Sequence, residues 1–430
     1  MAEWIKRIVI FVLTWEARAV LARYKPRVIA VTGSVGKTTT KDAIYAALSG
    51  SLHIRKSEKS FNSEIGVPLT ILGCENAWKN PIKWAGNIIR GLVLIVVPQS
   101  YPAWLVLEVG ADRPGDIRRL ARWLRPDIAV LTGVPEIPVH VEYFASPEAL
   151  AREKRALAEY VRQGGKLVIN GDDTRMVELC AEFRGMMIKY GFEAGSDFVG
   201  SHEEVLYEGG RPSGVRFRVG HAGSSLPVSI AGALGRPRIY GALAALAVGE
   251  IAGVDAVSAA KELAAWAPPP GRMRIISGVN GSTIIDDTYN SSPAAALSAL
   301  DTLKGVGAKR RIAVLGDMLE LGRYAAEAHR NVGKRAAKIA DLLITVGFRS
   351  RALGEAALDA GMDENDIRDY EQNESTRAGL ELKPQLREGD VVLVKGSQSM
   401  RMERTVLELM AEPDRAALLL VRQDTEWKTR

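Results

Sequence analysis

A glycine-rich segment near the amino terminus carries the residue types of a phosphate-binding loop. Gly33 and Gly36 allow a tight turn in which backbone N–H groups, together with the start of the following helix, face an anion. Lys37 adds a positive charge, and Thr38 adds a hydroxyl that can coordinate Mg²⁺. The predicted nucleotide-binding loop consists of Gly33, Ser34, Val35, Gly36, Lys37, Thr38 and Thr39.

The flanking residues supply the elements that such a loop needs. Residues 28–31 are a short apolar run typical of a buried strand, and residues 38–48 have the spacing of a helix. The loop has the short form T-G-x-x-G-K-T, because Val31 stands where the longer P-loop pattern has its first glycine. An ordinary strand–turn–helix corner is the alternative interpretation.

A second predicted strand ends in a carboxylate. Residues 104–107 are apolar, and Glu108 follows them just before a glycine-containing turn. If the sheet is parallel, Glu108 lies at the same edge as the phosphate loop. Its oxygens and the Thr38 hydroxyl are the kind of ligand that Mg²⁺ prefers, so we predict a magnesium site there.

Length and composition limit the function classes. The chain has 430 residues, of which 47% are hydrophobic, as expected for a globular protein with two or three domains. Its 57 Lys and Arg against 51 Asp and Glu give a net charge of +6, which suits anionic substrates or an anionic membrane face and does not imply nucleic acid. With Cys74 and Cys180 as the only cysteines, neither a disulfide framework nor a thiolate zinc site is expected, and a cytoplasmic location is predicted.

Two apolar segments stand apart from these motifs. Residues 8–15 lie in a predicted amphipathic helix that is too short to span a bilayer and either packs on the first domain or lies on a membrane surface. Residues 78–98 predict a second helix, whose apolar face favours a core or subunit contact. That face holds Ile88, Ile89, Leu92, Ile95 and Val96, and the basic residues of the two segments are Lys6, Arg7, Lys79, Lys83 and Arg90. Peripheral membrane contact or a homo-oligomer is the resulting hypothesis.

Several ordered motifs resemble those of the Mur ligase family. Besides the short loop, they include N-x-x-x-G-x-P from Asn62 to Pro68, E-V-G-A from Glu108, and D-D-T-Y-N at residues 286–290. The later motifs G-D-M-L-E-L-G from Gly316 and K-G-S at residues 395–397 fit the same family. The set is most similar to the branch that adds D-alanyl-D-alanine to a muramoyl tripeptide.

The resemblance also implies a second metal site. His140 and Lys154 occupy the positions of a metal-binding histidine and of a lysine that carries CO₂ as a carbamate. Two Mg²⁺ ions would then coordinate the ATP phosphates. The residues that hold these ions would be Thr38, Glu108, His140 and the carbamylated Lys154. The glutamate expected two positions after the lysine is Ala156, which leaves its orienting partner open.

Further roles follow from the resemblance alone. Arg272 matches the family's P-G-R arginine, which reaches the nucleotide phosphates and joins Lys37, His140 and Lys154 as a catalytic residue. Asp287, Tyr289 and Asn290 are the implied nucleotide-facing residues of the later part of the chain. The implied substrate-binding residues are Asn62, Ser63, Glu64, Asp317, Lys395 and Ser397.

One family motif is absent. In the family, a G-x-H-N-x-x-N segment lies near the adenine, whereas residues 235–241 here read G-R-P-R-I-Y-G. The histidine and both asparagines are missing, so we expect adenine recognition to differ in detail while phosphate binding is kept.

The implied fold is α/β. We expect an amino-terminal amphipathic helix at residues 1–26, a central P-loop domain at residues 27–268 and a carboxyl-terminal Rossmann-like domain at residues 269–430. The Pro-Pro-Pro-Gly segment at residues 268–271 is a stiff break that fits the second boundary. Because the phosphate loop already begins at Gly33, we also expect the chain to lack the domain with which Mur ligases hold the UDP-sugar.

The implied function is ATP-dependent amide ligation. ATP would phosphorylate a substrate carboxylate, and the amine of an amino acid or dipeptide would attack the acyl phosphate; the expected product carries D-alanyl-D-alanine on a muramoyl peptide. A ligase that extends a γ-glutamyl chain, as folylpolyglutamate or poly-γ-glutamate synthetases do, is the enzymatic alternative. A non-catalytic nucleotide-binding partner subunit is the alternative from another class.

Overall fold

The computed structural model describes residues 3–58, 61–78, 80–424 and 427, and it contains two α/β units built on separate sheets. The strands of the first unit are β1 (Arg27–Thr32), β2 (Ile54–Lys56), β3 (Trp104–Glu108), β4 (Ile128–Leu131), β5 (Lys166–Asn170), β6 (Met186–Gly191), β7 (Phe198–Glu208), β8 (Arg211–His221) and β9 (Ser224–Ala231). Its helices are α1 (Glu3–Tyr24), α2 (Lys37–Ser49), α3 (Gly66–Leu72), α4 (Pro81–Val96), α5 (Asp116–Leu124), α6 (Pro147–Glu159), α7 (Thr174–Leu179), α8 (Arg236–Ala252) and α9 (Ala256–Ala265).

The first sheet has the order β2-β3-β1-β4-β5-β6-β7-β8-β9. Pairs from β2 to β7 are parallel, and β7, β8 and β9 form an antiparallel excursion at one edge. Along β1, Ile29 and Val31 enter one apolar core while Val28 and Ala30 enter another. Both faces of this strand are therefore covered, as its continuous apolar sequence predicted.

The second unit follows the triple-proline segment. Its strands are β10 (Arg274–Ser277), β11 (Thr283–Asp287), β12 (Arg310–Gly316), β13 (Leu342–Val346), β14 (Ile367–Tyr370) and β15 (Asp390–Lys395). Its helices are α10 (Pro293–Gly305), α11 (Ala325–Ala336), α12 (Arg351–Asp359), α13 (Ser375–Leu382), α14 (Glu403–Leu409) and α15 (Ala416–Leu419). The sheet order is β10-β11-β15-β12-β13-β14, parallel except for the β10–β11 hairpin.

The predicted α/β architecture is confirmed: a P-loop sheet precedes a second, Rossmann-like sheet. The hairpin predicted around residue 280 is also present, since β10 and β11 pair in antiparallel register. We propose that the boundary between the units lies at residues 268 and 269.

Helix α4 corrects one sequence expectation. Of the apolar face predicted for a core or subunit contact, Ile89, Leu92 and Val96 are exposed, Ile88 is half-buried and Ile95 packs against the core. The core alternative is therefore wrong for most of that face. Lys79 lies outside the described residues. Among the helices that are described, none has both the length and the apolarity needed to cross a membrane.

Candidate active site

The phosphate loop joins the end of β1 to the start of α2. Gly33 has φ +149° and Gly36 has φ +83°, backbone conformations that other residues adopt only with strain. A Cβ atom at Gly33 would also lie 2.0 Å from Thr132 Oγ1, so the loop packs tightly on the end of β4. The loop thus directs the first turn of a 13-residue helix toward the space above it, where backbone N–H groups favour an anion.

Behind the loop, a carboxylate and a hydroxyl meet. Thr38 Oγ1 donates a hydrogen bond to Glu108 Oε2 at 2.9 Å, and Asn62 Nδ2 donates to Glu108 Oε1 at 3.0 Å. Glu108 pairs in register with Val31 of β1, which places it at the same sheet edge as the loop. These neighbouring oxygens fit the donor chemistry of a Mg²⁺ site.

Lys37 is half-buried and points back over the loop. Its Nζ donates to the carbonyl oxygen of Gly33 at 2.8 Å. Burial lowers the pKa of Lys37, and the positive charge of Arg272 lowers it further, while Glu108 opposes this effect. A half-buried cation in this position can interact strongly with a phosphate, because water screens it only in part.

Arg272 reaches the same point from the second unit. Its Nη2 donates to Thr38 Oγ1 at 3.3 Å, and its guanidinium lies 3.9 Å from the ring centroid of Tyr289. Its Nε is buried without a hydrogen-bond partner among the described residues. An unsatisfied guanidinium nitrogen beside a phosphate loop fits an anionic ligand.

The opposite wall is held by a buried ion pair. Lys395 Nζ donates to Asp287 Oδ2 at 2.6 Å and to the carbonyl oxygen of Asn290 at 2.8 Å. The other oxygen of Asp287 accepts the backbone N–H of Met273 at 3.2 Å. Asp287 and Lys395 therefore fix the segment that carries Tyr289 and Asn290.

Together these groups enclose a cavity of about 390 Å³ between the two units. The predicted residues that line it are Ser34, Val35, Gly36, Lys37, Thr38, Thr39, Asn62, Glu108, His140, Arg272, Asp287, Tyr289, Asn290 and Lys395.

His140 lies at the mouth of this cavity and bridges the units. Its Nδ1 is 2.6 Å from Glu320 Oε2, and its Nε2 is 3.8 Å from Asp112 Oδ1. The hydrogen bond with His140 lowers the pKa of Glu320. One imidazole nitrogen is thereby engaged by a carboxylate, an arrangement that fixes ring orientation in metal-binding histidines.

Lys154 is buried in α6, with 2% of its surface exposed, and none of the described residues forms a hydrogen bond or ion pair with it. Burial and then the charge of Lys37 lower its pKa to about 7, against the opposing charge of Asp112. Part of the Lys154 population is therefore a neutral amine at physiological pH, the form that can react with CO₂.

The expected orienting glutamate has no counterpart in this structure. Ala156 is fully buried in the apolar core beside α6. Glu153 instead accepts the backbone N–H groups of Gly115 at 3.0 Å and Ile117 at 2.8 Å, at the start of α5. The carboxylate of Glu153, the residue before Lys154, therefore binds the N-terminus of α5.

Of the four predicted metal ligands, Thr38, Glu108 and His140 line the cavity, whereas Lys154 is not among its lining residues. Asp112, which sequence reasoning missed, influences both His140 and Lys154. The described chain has no cluster of three or more His, Cys, Asp or Glu side chains arranged for a metal ion. The predicted set would not form such a cluster, because it includes a threonine and a lysine.

The implied substrate-binding residues separate into two groups. Asn62 and Lys395 line the cavity, as described above. Ser63 accepts the backbone N–H of Gly66 at 3.4 Å, and Glu64 forms an exposed ion pair with Arg119 at 2.7 Å.

Asp317 and Ser397 are buried in the second unit, outside the cavity lining. Asp317 Oδ1 accepts the backbone N–H of Ser350 at 2.8 Å, and Ser397 Oγ accepts that of Leu319 at 2.9 Å. Their side chains tie together the loops at one edge of the second sheet.

A second cavity of about 760 Å³ opens beside Gly36 and Thr40. Tyr240, at the start of α8, donates to Asp172 Oδ2 at 2.7 Å, and Asn170 and Pro237 also line this space. Its position next to the phosphate loop suits the base of a nucleotide.

Helix α8 shows what replaced the adenine motif. Arg238 stands at the position of the first asparagine; it is fully buried, donates to the carbonyl oxygen of Arg272 at 2.6 Å and packs over Trp266. Gly241 stands at the second, where a Cβ atom would lie 3.2 Å from Thr39 Cγ2. Close packing of α8 on α2 therefore favours glycine there. The departure of residues 235–241 from the family motif was the sequence signal for both the buried Arg238 and the close packing at Gly241.

Comparison with known proteins agrees with these observations. The Mur ligase middle domain model matches residues 31–81 and 92–249, and the model of the Mur ligase glutamate ligase domain matches residues 271–398. The chain is 30% identical over 404 residues to the UDP-N-acetylmuramoyl-tripeptide–D-alanyl-D-alanine ligase of Bacillus subtilis, covering 92% of this chain and 79% of that protein. A crystal structure of MurF ligase from Thermotoga maritima in complex with ADP is similar with a TM-score of 0.77 and 26% identity, covering 94% of this chain and 84% of that one. MurF from Acinetobacter baumannii shares the fold, with a TM-score of 0.74 and 22% identity over 92% of this chain and 79% of that one.

Proposed function

The chain belongs to the Mur ligase family of ATP-dependent ligases, and we propose that it joins D-alanyl-D-alanine to a muramoyl tripeptide. The observation that carries this proposal is the cavity in which Lys37, Thr38 and Glu108 of the first unit face Arg272 of the second. The name of the Bacillus subtilis relative supplies the substrate pair.

The residues of the cavity suit phosphoryl transfer to a carboxylate. The substrate carboxylate oxygen would attack the γ-phosphorus of ATP, the bond to the β-phosphate oxygen would break, and ADP would leave. Lys37, Arg272 and the N-terminus of α2 would stabilise the negative charge on the transferred group. An incoming amine would then displace phosphate from the acyl carbon, so no protein nucleophile is required.

ATP and Mg²⁺ are the cofactors of this reaction. Thr38 and Glu108 fit one Mg²⁺ because their oxygens adjoin the phosphate loop. We assign a second Mg²⁺ to His140 and Lys154, with Lys154 carbamylated: its neutral amine would add to CO₂ and lose a proton, giving an anionic oxygen ligand. Bound Mg²⁺ supplies charge neutralisation of the phosphates.

We assign roles to the remaining site residues from where they lie in the structure. Tyr289 and Asn290 are assigned to the nucleotide, and Asn62 and Lys395 to the reacting carboxylate, because all four line the cavity. Ser63 and Glu64 are assigned to the acceptor through the loop that carries Asn62. Asp317 and Ser397 are assigned a supporting role for the donor side, since both are buried in loops of the second unit.

Ligation of purified substrates tests the proposal. The chain is incubated with Mg·ATP, UDP-muramoyl tripeptide and D-alanyl-D-alanine, and the peptide product and ADP are quantified. We expect ligation, and we expect Lys37→Ala to reduce it by at least about 100-fold, because the charge facing the phosphates is lost. Lys261→Ala, which alters an exposed lysine on α9, should match the parent.

Other outcomes of this assay would favour the two alternatives, a γ-glutamyl ligase or a nucleotide-binding partner subunit. Turnover with a γ-glutamyl acceptor and glutamate, but none with the muramoyl peptide, would identify a γ-glutamyl ligase. ATP binding without turnover of any acceptor would identify a nucleotide-binding partner subunit. Equal ligation by the parent and Lys37→Ala would exclude this cavity as the site.

Contact with a membrane or with a second copy of the chain is a separate proposal. It concerns helices α1 and α4, which lie on the first unit and contribute no residue to the lining of the cavity.

A further inference from the structure

Helix α1 has a stripe of large apolar side chains that face away from the protein. They are spaced by four, three and four residues, which places them on one side of a helix. Phe11 has 73% of its surface exposed. The full stripe consists of Trp4, Ile8, Phe11 and Trp15.

Helix α4 has a matching stripe. Ile82 has 81% of its surface exposed, and Gly86 lies open one turn further along the same face. The exposed apolar residues of this helix are Ile82, Ile89, Leu92, Val93 and Val96. Large exposed apolar patches on a soluble protein mark interaction sites. Two adjacent stripes of this kind therefore point to a surface that is covered in use.

The two stripes belong to one surface. The opposite faces of both helices enter the same apolar core, with Leu13 of α1 and Leu94 of α4 among its buried residues. The helices also touch: the carboxylate of Glu16 packs against Gly91, and Tyr24 Oη donates to the carbonyl oxygen of Leu94 at 3.0 Å. Glu16 meets Gly91, and the later residue Tyr24 meets the later residue Leu94. The two helices therefore run in the same direction, with their outer faces side by side.

The described exposed charges of the two helices have one sign, and Glu75, in the segment before α4, is an exposed acidic neighbour. Each charged side chain that is described and exposed on the two helices is basic, and these residues are Lys6, Arg7, Arg18, Arg23, Lys83 and Arg90. The single described acidic side chain of the pair, Glu16, is fully buried. A surface with an apolar stripe and basic margins is complementary to an anionic interface.

We infer that the α1–α4 surface docks on the face of an anionic lipid membrane. The exposed tryptophan, phenylalanine and aliphatic side chains would enter the headgroup and acyl-chain boundary, while the lysines and arginines would contact anionic headgroups. A second copy of the chain fits less well, because pairing two such surfaces would bring basic margins together. The inference is independent of the proposed ligase activity, since it uses no residue of the cavity.

Vesicle flotation tests this inference with the full chain. The protein is mixed with vesicles of phosphatidylcholine alone or with 30% phosphatidylglycerol, and the floated fraction is measured at low and high salt. We expect binding only with the anionic vesicles and a loss of binding at high salt. A chain that ignores anionic vesicles, or that binds neutral vesicles equally well, would overturn the inference.

Matched variants test whether vesicle binding depends on the α1–α4 surface rather than on exposed apolar or charged residues elsewhere. Phe11→Ser should reduce the floated fraction at least tenfold, whereas Phe348→Ser should not, although Phe348 is exposed to 71% on the second unit. Arg90→Glu should reduce binding, and Lys261→Glu should leave it unchanged. All four positions are exposed, so the folded state should persist, as circular dichroism can check.

Self-association is measured on the same samples. Sedimentation should show a monomer at the concentrations used for flotation. A dimer that Phe11→Ser dissociates, with no vesicle binding by the parent, would assign the surface to a second copy and refute membrane docking.

Discussion

Two buried ionisable side chains in the first unit, Lys154 and Glu16, have been moved to nearly the same pKa from opposite directions. Burial and the charge of Lys37 lower the pKa of Lys154 to about 7, and burial raises that of Glu16 to about 7. Both are thus partly neutral near physiological pH. Their surroundings nevertheless differ completely.

Lys154 lies among charged groups beside the phosphate loop. Lys37, Asp112 and Glu153 all influence it, and the first two line the cavity. Glu16 lies where α1 packs on α4, both of its oxygens lack a hydrogen-bond partner among the described residues, and Gly91 packs against it. A shifted pKa therefore does not identify a site by itself; nearby charge, an adjoining cavity and available chemistry do.

The largest expected effect comes from removing the lysine of this pair. Lys154→Ala should reduce ligation at least about 100-fold, because the proposed carbamate ligand is lost and cannot be replaced by water alone. Acetate or formate should restore part of the activity by filling the vacated position. Arg152→Ala, an exposed change on the same helix, is the matched control.

A direct readout accompanies the kinetics. Incubation with ¹³C-bicarbonate should give a carbamate NMR signal in the parent that is missing in Lys154→Ala. An inactive variant that no short carboxylic acid rescues, together with no carbamate signal in the parent, would contradict the assignment and leave Lys154 as a positively charged residue.

The sequence could predict much of this cavity because its phosphate end depends on local rules. Two glycines with positive φ, a lysine, a hydroxyl and a strand-end carboxylate must stand at fixed spacings to cradle a phosphate. The structure brings Thr38 and Glu108 within 2.9 Å, as the position of Glu108 at a strand end predicted.

Other features depend on packing between distant segments and could not be predicted in that way. The contact of His140 with Glu320 joins residues 180 positions apart. Burial of Ala156 is set by the core beside α6, and the outward face of α4 depends on which side meets α1. Apolar periodicity identified the α4 helix but could not decide whether its face meets the core or the solvent.

A smaller effect is expected at Tyr240, a half-buried residue whose pKa is raised by burial and by its hydrogen bond to Asp172. Tyr240→Phe removes the hydroxyl and leaves the ring beside the second cavity. We expect the KM for ATP to rise a few-fold, because the hydrogen bond that holds the Tyr240 ring against Asp172 in the cavity wall is lost, while kcat stays unchanged. Steady-state kinetics with varied ATP measures this.

Tyr207→Phe is the control for Tyr240, because its hydroxyl accepts the backbone N–H of Gly307 at 2.7 Å away from both cavities. A fall in kcat without a change in KM would show that Tyr240 acts on the chemistry rather than on the base.

The smallest effect on activity is expected at Glu16. Its pKa is higher in the folded chain than the ordinary value of 4.5, so folded Glu16 holds a proton that the unfolded chain has already released. Stability should therefore fall as pH rises from about 4.5 to above 7. Glu16→Gln is neutral throughout, and it should remove this dependence without changing ligation.

Thermal unfolding at pH 5 and pH 8 measures the difference. We expect the variant and the parent to have similar Tm values at pH 5. At pH 8 we expect the Tm of the variant to be about 2 °C higher than that of the parent. The gain should be modest, because the protonation difference of a single side chain is its only source. Glu178→Gln, an exposed change on α7, should show no pH-dependent difference. If Glu16→Gln instead lowered Tm more at pH 8 than at pH 5, the carboxylate would have to be stabilised as an anion in the folded chain, and the contrast with Lys154 would not hold.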